Sequence, residues 1–241
     1  MQETSRYRFF VSSLFGPSVI LSEGESRHAR DVLRLRPGDA VELFDGSGGK
    51  ASGRIERLAK SGVSVLIETR QSVPRPEPRI ELAFAVPKGK RLDWLLEKAT
   101  ELSAAKLSPV EFARSVATPE LDEHARGRWE SICIAAAKQS GLDFLPEISE
   151  PEPLSKFLSH SRAPYRLLGD PRESQRLPAA LANWQSGQAI TLLIGPEGGI
   201  SEEETQQIRA SGFAAVQLGQ TILRVETASV ALLSAVQAIV G

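Results

Sequence analysis

Three apolar runs in the second half of the chain, YRLLGD (165–170), ITLLIG (190–195) and AAVQLG (214–219), each close on glycine or Gly-Asp. Helical patterns alternate with them. Short strands interleaved with helices restrict the fold to an α/β domain on a mainly parallel sheet. The rhythm begins at IELAFAV (80–86), followed by RLDWLLEKATEL (91–102), where Leu92, Leu95, Leu96, Ala99 and Leu102 share one helical face. HARGRWESICIAAAKQSG (124–141) reads as a second helix that stops at Gly141. A last helix, over about 226–240, carries almost no charge after Glu226. Such a helix has to be buried, in the core or at a subunit contact.

The texture differs ahead of QSVPRPEPR (71–79), whose prolines at alternate positions favour a stiff, extended connection. There, short strand-like pieces alternate with turn clusters RPGD (36–39), DGSGG (45–49) and KSGV (60–63), and VSVLIET reads as a strand. This spacing suits a small β-barrel or curled sheet. The expected organisation is a β-rich domain over residues 1–72 and an α/β domain over 73–241, and 241 residues suffice for both cores. There is no internal repeat.

Charge narrows the function less. With 29 basic and 30 acidic residues, no global field marks a nucleic-acid or membrane partner, so any basic patch must be local. Cys133 is the only cysteine and cannot form an internal disulfide, which favours a reducing compartment. The start, Met1 followed by QETSRYR, lacks the apolar segment of a signal peptide, and no run approaches a membrane span. A soluble cytoplasmic protein is expected. Three scattered histidines and one cysteine provide no metal-ligand spacing.

The stretch TLLIGPEGGIS (191–201), followed by EEET, places a Gly/Pro turn between a strand and a helix start. Ser201 and Glu204 have capping-box spacing, so the helix should begin at Glu202 and end at Gly212. Glycines 195, 198 and 199 let backbone approach a ligand closely. Neither phosphate cradle fits: Ile200 follows Gly199 where a P-loop needs Lys, and G-x-G-x-x-G is absent. Glu197 inside the turn suits a ligand with donors or positive charge. On this stretch alone, a turn without a ligand is an equal reading. A second such turn precedes the last helix, in LGQTILRVETASVALLSAVQAIV, where Arg224 and Glu226 stand at the helix entrance. By spacing alone those two read as an ordinary ion pair or a helix-start acid.

Together, IGPEGGIS and LGQTILRVETA resemble the cofactor site of the knotted SPOUT methyltransferases, most closely the bacterial 16S rRNA uridine-N3 methyltransferase family. RFF (8–10), HARDVLRLRPGD (28–39), KGKRLDWLLEKATEL (88–102) and RWESICIAAAKQSG (128–141) fit the same family, so the resemblance spans most of the chain. It implies a PUA-like β-barrel, then an α/β domain with a C-terminal trefoil knot, acting as a homodimer with the knots at the contact. Bound S-adenosylmethionine would lie among Leu168 and Gly169, the turn of Gly195, Pro196, Glu197 and Gly198, and Leu218, Gly219, Ile222 and Leu223. Two positions depart from the family pattern. Thr221 stands where relatives commonly carry Arg, and Ser103-Ala104 follows Leu102 where a Gly is expected.

The implied substrate is a uridine in the 16S rRNA of the 30S subunit. Its N3 must lose a proton, and Arg224 is the catalytic candidate, as a cation stabilising charge on the flanking carbonyl oxygens. Guanidinium stays protonated, so Arg224 is not the base. RNA contact is assigned to Arg8, Arg27, His28, Arg30, Arg34 and Arg36 in the first domain, and to Lys88 and Arg91 at the mouth of the second. A related knotted enzyme acting on tRNA or a ribose 2′-hydroxyl, or a non-catalytic ribosome-assembly protein, are the competing readings.

Overall fold

The computed structural model describes residues 7–116, 121–173 and 175–241. Contacts divide the chain into two compact units, Met1–Arg75 with Ala137–Leu145, and Pro76–Ala136 with Pro146–Gly241. The extended proline segment lies at the first crossing between them.

In the first unit, β1 (Arg8–Phe10) and β2 (Ser18–Ile20) precede α1 (Glu23–Arg27), which runs into a π-helical turn at His28–Val32. Next come β3 (Ala40–Phe44), β4 (Gly49–Ala59) and β5 (Gly62–Ser72), giving a sheet of order β1-β3-β4-β5-β2. β1 lies parallel to β3, and the other pairings are antiparallel. Alternating residues of these strands, among them Phe9, Val41, Leu43, Ile55, Val63 and Val65, meet in one core. The helical turn over 23–32 has no counterpart in the strand pattern read from the sequence.

The DGSGG turn has a specific task. Gly46 and Gly48 hold φ 73° and 101°, and added Cβ atoms would lie 2.7 Å from Leu145 Cδ1 and 2.4 Å from Phe144 Cζ. Gly48 donates its amide to Asp143 O at 3.0 Å, and Leu145 donates to Gly46 O at 2.9 Å. The absence of side chains here lets residues 143–145 seat directly against the turn.

The second unit contains β6 (Ile80–Ala85), α2 (Lys90–Glu101), β7 (Lys106–Glu111), α3 (Glu123–Ser140), β8 (Glu147–Ile148) and β9 (Glu152–Pro153). The last turn of α3 counts with the first unit. After α4 (Leu154–His160) come β10 (Tyr165–Gly169), α5 (Leu177–Ala180), β11 (Ile190–Ile194), α6 (Glu202–Ala210), β12 (Ala214–Val216) and α7 (Val225–Val240). The sheet runs β12-β10-β11-β6-β7-β8, with β9 also beside β7. Every pairing is parallel. Strand β11 is buried at all five positions, as a strand covered on both faces must be.

From β6 the chain builds outward through β7 and β8, and later returns to fill the opposite side with β10, β11 and β12. The strand order therefore reverses between β6 and β11. In parallel sheets, ligands favour the carboxyl ends of strands at such a reversal. α6 carries both capping-box bonds between Ser201 and Glu204. One face of α7 is buried, with Leu232, Leu233 and Val236 in the core and Gln237 donating to Leu102 O at 2.8 Å. The other face leaves Thr227, Ser234, Ala238 and Ile239 exposed. No helix of the described residues is long and apolar enough to cross a membrane.

Candidate active site

The carboxyl ends of β10, β11 and β12 lie on one edge of the sheet, and the loops leaving them enclose a cavity of about 270 Å³. That is close to the lower end of the range for small-molecule sites, about 300–1,000 Å³. Gly169 to Arg172 follow β10, Gly195 to Ile200 follow β11, and Leu218 to Val225 lie between β12 and α7. Gly169, Gly195, Pro196, Glu197, Leu218, Gly219, Ile222 and Leu223 all line this cavity.

The glycines do different jobs. A Cβ on Gly169 would come within 2.6 Å of Ile194 Cδ1, and one on Gly195 within 2.5 Å of Ile200 Cγ1, so these two make room for the cavity wall itself. A Cβ on Gly219 meets no atom within 4 Å, so the space beside it is left free of protein. Gly199 has φ 78°, the left-handed conformation that turns the chain toward α6.

Two residues named with the cofactor fall outside the lining. Leu168 is 1 % exposed and packs into the core. At Gly198 an added Cβ would lie 3.1 Å from Arg114 Cβ and 3.2 Å from Arg114 O. Its bareness therefore accommodates a neighbouring loop rather than a ligand.

The sequence reading also missed an ion pair in the cavity. Asp170, 5 % exposed, accepts from the Arg172 amide and Nε at 2.9 and 3.0 Å and from Nη2 at 2.8 Å. Burial alone would raise this carboxyl, but the bonds from the Arg172 side chain and backbone outweigh it and hold the group below its ordinary value. The Gly-Asp closing YRLLGD was visible only as a strand end.

An open recess adjoins the cavity, sharing Glu197, Ile222 and Leu223 and adding Arg91 and Arg224. Arg91 pairs with Glu197. Arg224 is the N-cap residue of α7, with its side chain exposed and no ion-pair or hydrogen-bond partner among the described residues. It thus brings an uncompensated cation to the recess. Glu226, two residues on, is 7 % exposed, and its Oε2 is sealed from solvent without a hydrogen-bond partner. A carboxylate so enclosed is not placed to take a proton from a bound base.

The other basic residues separate by their surroundings. Arg8 does not face outward as expected. It stacks 4.3 Å over the Phe44 ring, pairs with Glu42 at 2.9 Å and with Asp143, and its side chain is 10 % exposed. It binds its own unit together and drops out of the RNA surface. Arg27 pairs with Glu23 at 2.9 Å, and Arg30 forks onto Asp31 at 2.9 and 3.1 Å. The His28 ring packs edge-on against Phe9. Arg34, Arg36 and Lys88 are exposed and carry no ion-pair partner among the described residues. Burial pushes the Cys133 thiol up to about 11, so it is no nucleophile at neutral pH.

A parallel sheet with three loops closing a cavity at its carboxyl edge, beside a separate small β unit, is what the comparisons with known proteins have to account for. The family model for an RNA methyltransferase domain matches residues 74–237, and that for an RNA methyltransferase PUA domain matches 21–68. The ribosomal RNA small subunit methyltransferase E of Mycobacterium tuberculosis is 32% identical over 237 residues, 95% of this chain and 90% of the relative. The Bacillus subtilis protein of the same name is 28% identical over 231 residues, 91% and 90% of the two chains. The chain belongs to the ribosomal RNA small subunit methyltransferase E family.

Solved structures agree. A putative methyltransferase from Legionella pneumophila with bound S-adenosylmethionine superposes with a TM-score of 0.88 at 30% identity, covering 97% of this chain and 98% of that one. The Neisseria gonorrhoeae ribosomal RNA small subunit methyltransferase E, bound to the same cofactor, gives 0.87 at 30% identity, with 98% of each chain covered. The second unit thus has the α/β methyltransferase fold.

Proposed function

We infer that this chain methylates N3 of a uridine in the 16S rRNA of the small ribosomal subunit, using S-adenosylmethionine. The observation that carries the reading is the cavity closed by three loops at one sheet edge, with the unpaired Arg224 in the recess that adjoins it. The cavity suits the cofactor. Its wall is largely aliphatic, from Ile194, Ile200, Leu218, Leu223 and Val225, and Gly219 leaves space free beside it. The carboxylates present, Asp170 and Glu197, are already paired with arginines and tolerate a cationic ligand. When bound, S-adenosylmethionine supplies an electrophilic methyl group.

The chain's own residues then act on the base. Uridine N3 attacks only after losing its imide proton, and the resulting charge spreads onto the flanking carbonyl oxygens. Arg224, as a fixed cation in the recess, stabilises that charge. Thr221 also lines the cavity, so this side of the site has a hydroxyl where the family resemblance leads one to expect Arg. In this reading the protein works in the cytoplasm as a homodimer with a C-terminal trefoil knot. The chargeless outer face of α7 supports the dimer, since it offers a second copy nothing that would need to be desolvated as an ion.

The test is single-turnover methylation of unmethylated 30S particles with labelled cofactor, followed by mass spectrometry of the digested nucleosides. The label should appear as N3-methyluridine. Label in tRNA or on a ribose would favour the related enzymes instead. Under saturating cofactor and RNA, Arg224→Ala should lose about 100- to 1,000-fold in rate, the usual effect of one stabilising donor. Arg224→Lys, which keeps the charge without the planar fork, should retain part of it. Both should sediment as wild type. Full activity in Arg224→Ala would remove the residue from the mechanism.

A further inference from the structure

Four arginines gather at the carboxyl edge of the second sheet: Arg91 in the first turn of α2 after β6, Arg114 in the loop after β7, Arg172 after β10 and Arg224 at the start of α7. Two are neutralised in place, Arg91 by Glu197 and Arg172 by Asp170. Arg224 and Arg114 have no carboxylate partner among the described residues. Arg224 has a role above; Arg114 has none.

The loop that carries Arg114 is built to hold it still. Phe112 is buried, its amide donates to Ser115 Oγ at 2.9 Å, and the Ser115 amide returns to Phe112 O at 3.0 Å. The Ala113 amide donates to Glu204 Oε1 at 2.7 Å, while Glu204 Oε2 accepts from the Ser201 amide at 2.9 Å. One buried carboxylate thus ties this loop to the start of α6. The backbone and Cβ of Arg114 rest against the bare Cα of Gly198, and its Nη1 donates to Gly198 O at 3.3 Å. That single long bond leaves most of the five guanidinium N–H donors pointing to solvent. Such a rigid backbone beneath an exposed, uncompensated fork suits an anion that presents two oxygens side by side, as the non-bridging pair of a phosphodiester does.

We propose that Arg114 binds a backbone phosphate of the RNA beside the target nucleotide, positioning the base against the cavity rim while Arg224 serves the base itself. The inference rests on the RNA methyltransferase reading. A polyanion approaching this edge finds Arg91 and Arg172 already compensated, so the electrostatic attraction falls on Arg114 and Arg224, together with the exposed Lys88 of the loop after β6. Nothing in the residue pattern singles out FARSV (112–116) as a site.

The experiment compares wild type, Arg114→Ala and Arg114→Lys in binding to unmethylated 30S particles across a potassium chloride series at fixed magnesium. KM for the particle, rate at saturation and cofactor affinity by calorimetry are measured alongside. Arg114→Ala should reduce the log–log salt slope by about 0.7, the value for one phosphate on a single strand. Its KM should rise about tenfold, with the saturated rate within threefold and cofactor affinity unchanged. Arg114→Lys should recover the salt slope. A wild-type slope and KM in Arg114→Ala would overturn the proposal. So would a fall in cofactor affinity that Lys does not repair, since that would make Arg114 a prop for the Gly195–Gly199 turn. Failure of the wild-type protein to methylate the particles would count against the function itself, independently of Arg114.

Discussion

Asp170 shows how one side chain links the chemistry of the cavity to the stability of its wall. Its carboxyl is held below the ordinary value, near 3.8, so the folded chain binds its proton less readily than the unfolded chain. The stabilisation is therefore fully present above the ordinary carboxylate range and is lost as pH falls through the lower, folded value. Asp170→Asn should melt below wild type at neutral pH, and the gap should close as the buffer is taken below pH 4 or so. Thermal unfolding followed by circular dichroism across acid buffers measures this. A gap that persisted undiminished in acid would mean that the loss came from packing and not from charge.

At the scale of elements, the glycine turns should respond differently to the same substitution. Gly195→Val drives methyl groups into Ile200, which belongs to the wall, so it should cost stability, about 1–3 kcal/mol for an overpacked site. The Cβ of Gly219→Val meets no atom within 4 Å, so the substitution should leave the unfolding midpoint nearly unchanged while weakening cofactor binding by calorimetry. Equal effects of the two on stability would show that Gly219 is held by packing after all. Much of this architecture was readable in advance. The strands within YRLLGD, ITLLIG and AAVQLG, the capping box at Ser201 and a last helix over about 226–240 follow from apolar period and cap chemistry, which are local; the observed strands end at Gly169, Ile194 and Val216, and the helix starts at Val225. What was not readable depends on tertiary approach. Gly198 looks like its neighbours in sequence and differs only because Arg114 lies on it. Arg8 looks like a surface cation and is buried because Phe44, Glu42 and Asp143 converge on it. Ser103 stands where the family resemblance leads one to expect glycine, and its φ of 57° is the left-handed conformation that glycine adopts most readily.

For the molecule as a whole, the units are not consecutive in the chain. The first unit takes in Ala137–Leu145, clasped by the DGSGG turn and by the pairing of Asp143 with Arg8 and, at 3.5 Å, with Lys50. Asp143→Ala would leave Arg8 only Glu42 as a carboxylate partner, and should cost about 1–3 kcal/mol in urea unfolding, the range for stranding a buried polar group. An unchanged midpoint would make the clasp ornamental. The seating also sets an order of events during synthesis. When Arg75 leaves the ribosome, the sheet β1 to β5 is complete in sequence but lacks the segment that fills its glycine turn. That segment follows about 70 residues later, a wait of roughly 4–14 s at ordinary elongation rates. Through that interval the nascent first unit exposes the bare faces of Gly46 and Gly48 and an Arg8 without Asp143, and it becomes whole only after all of α3 has been made. An RNA-modifying chain is thereby kept from completing its β unit until synthesis is well into the methyltransferase domain.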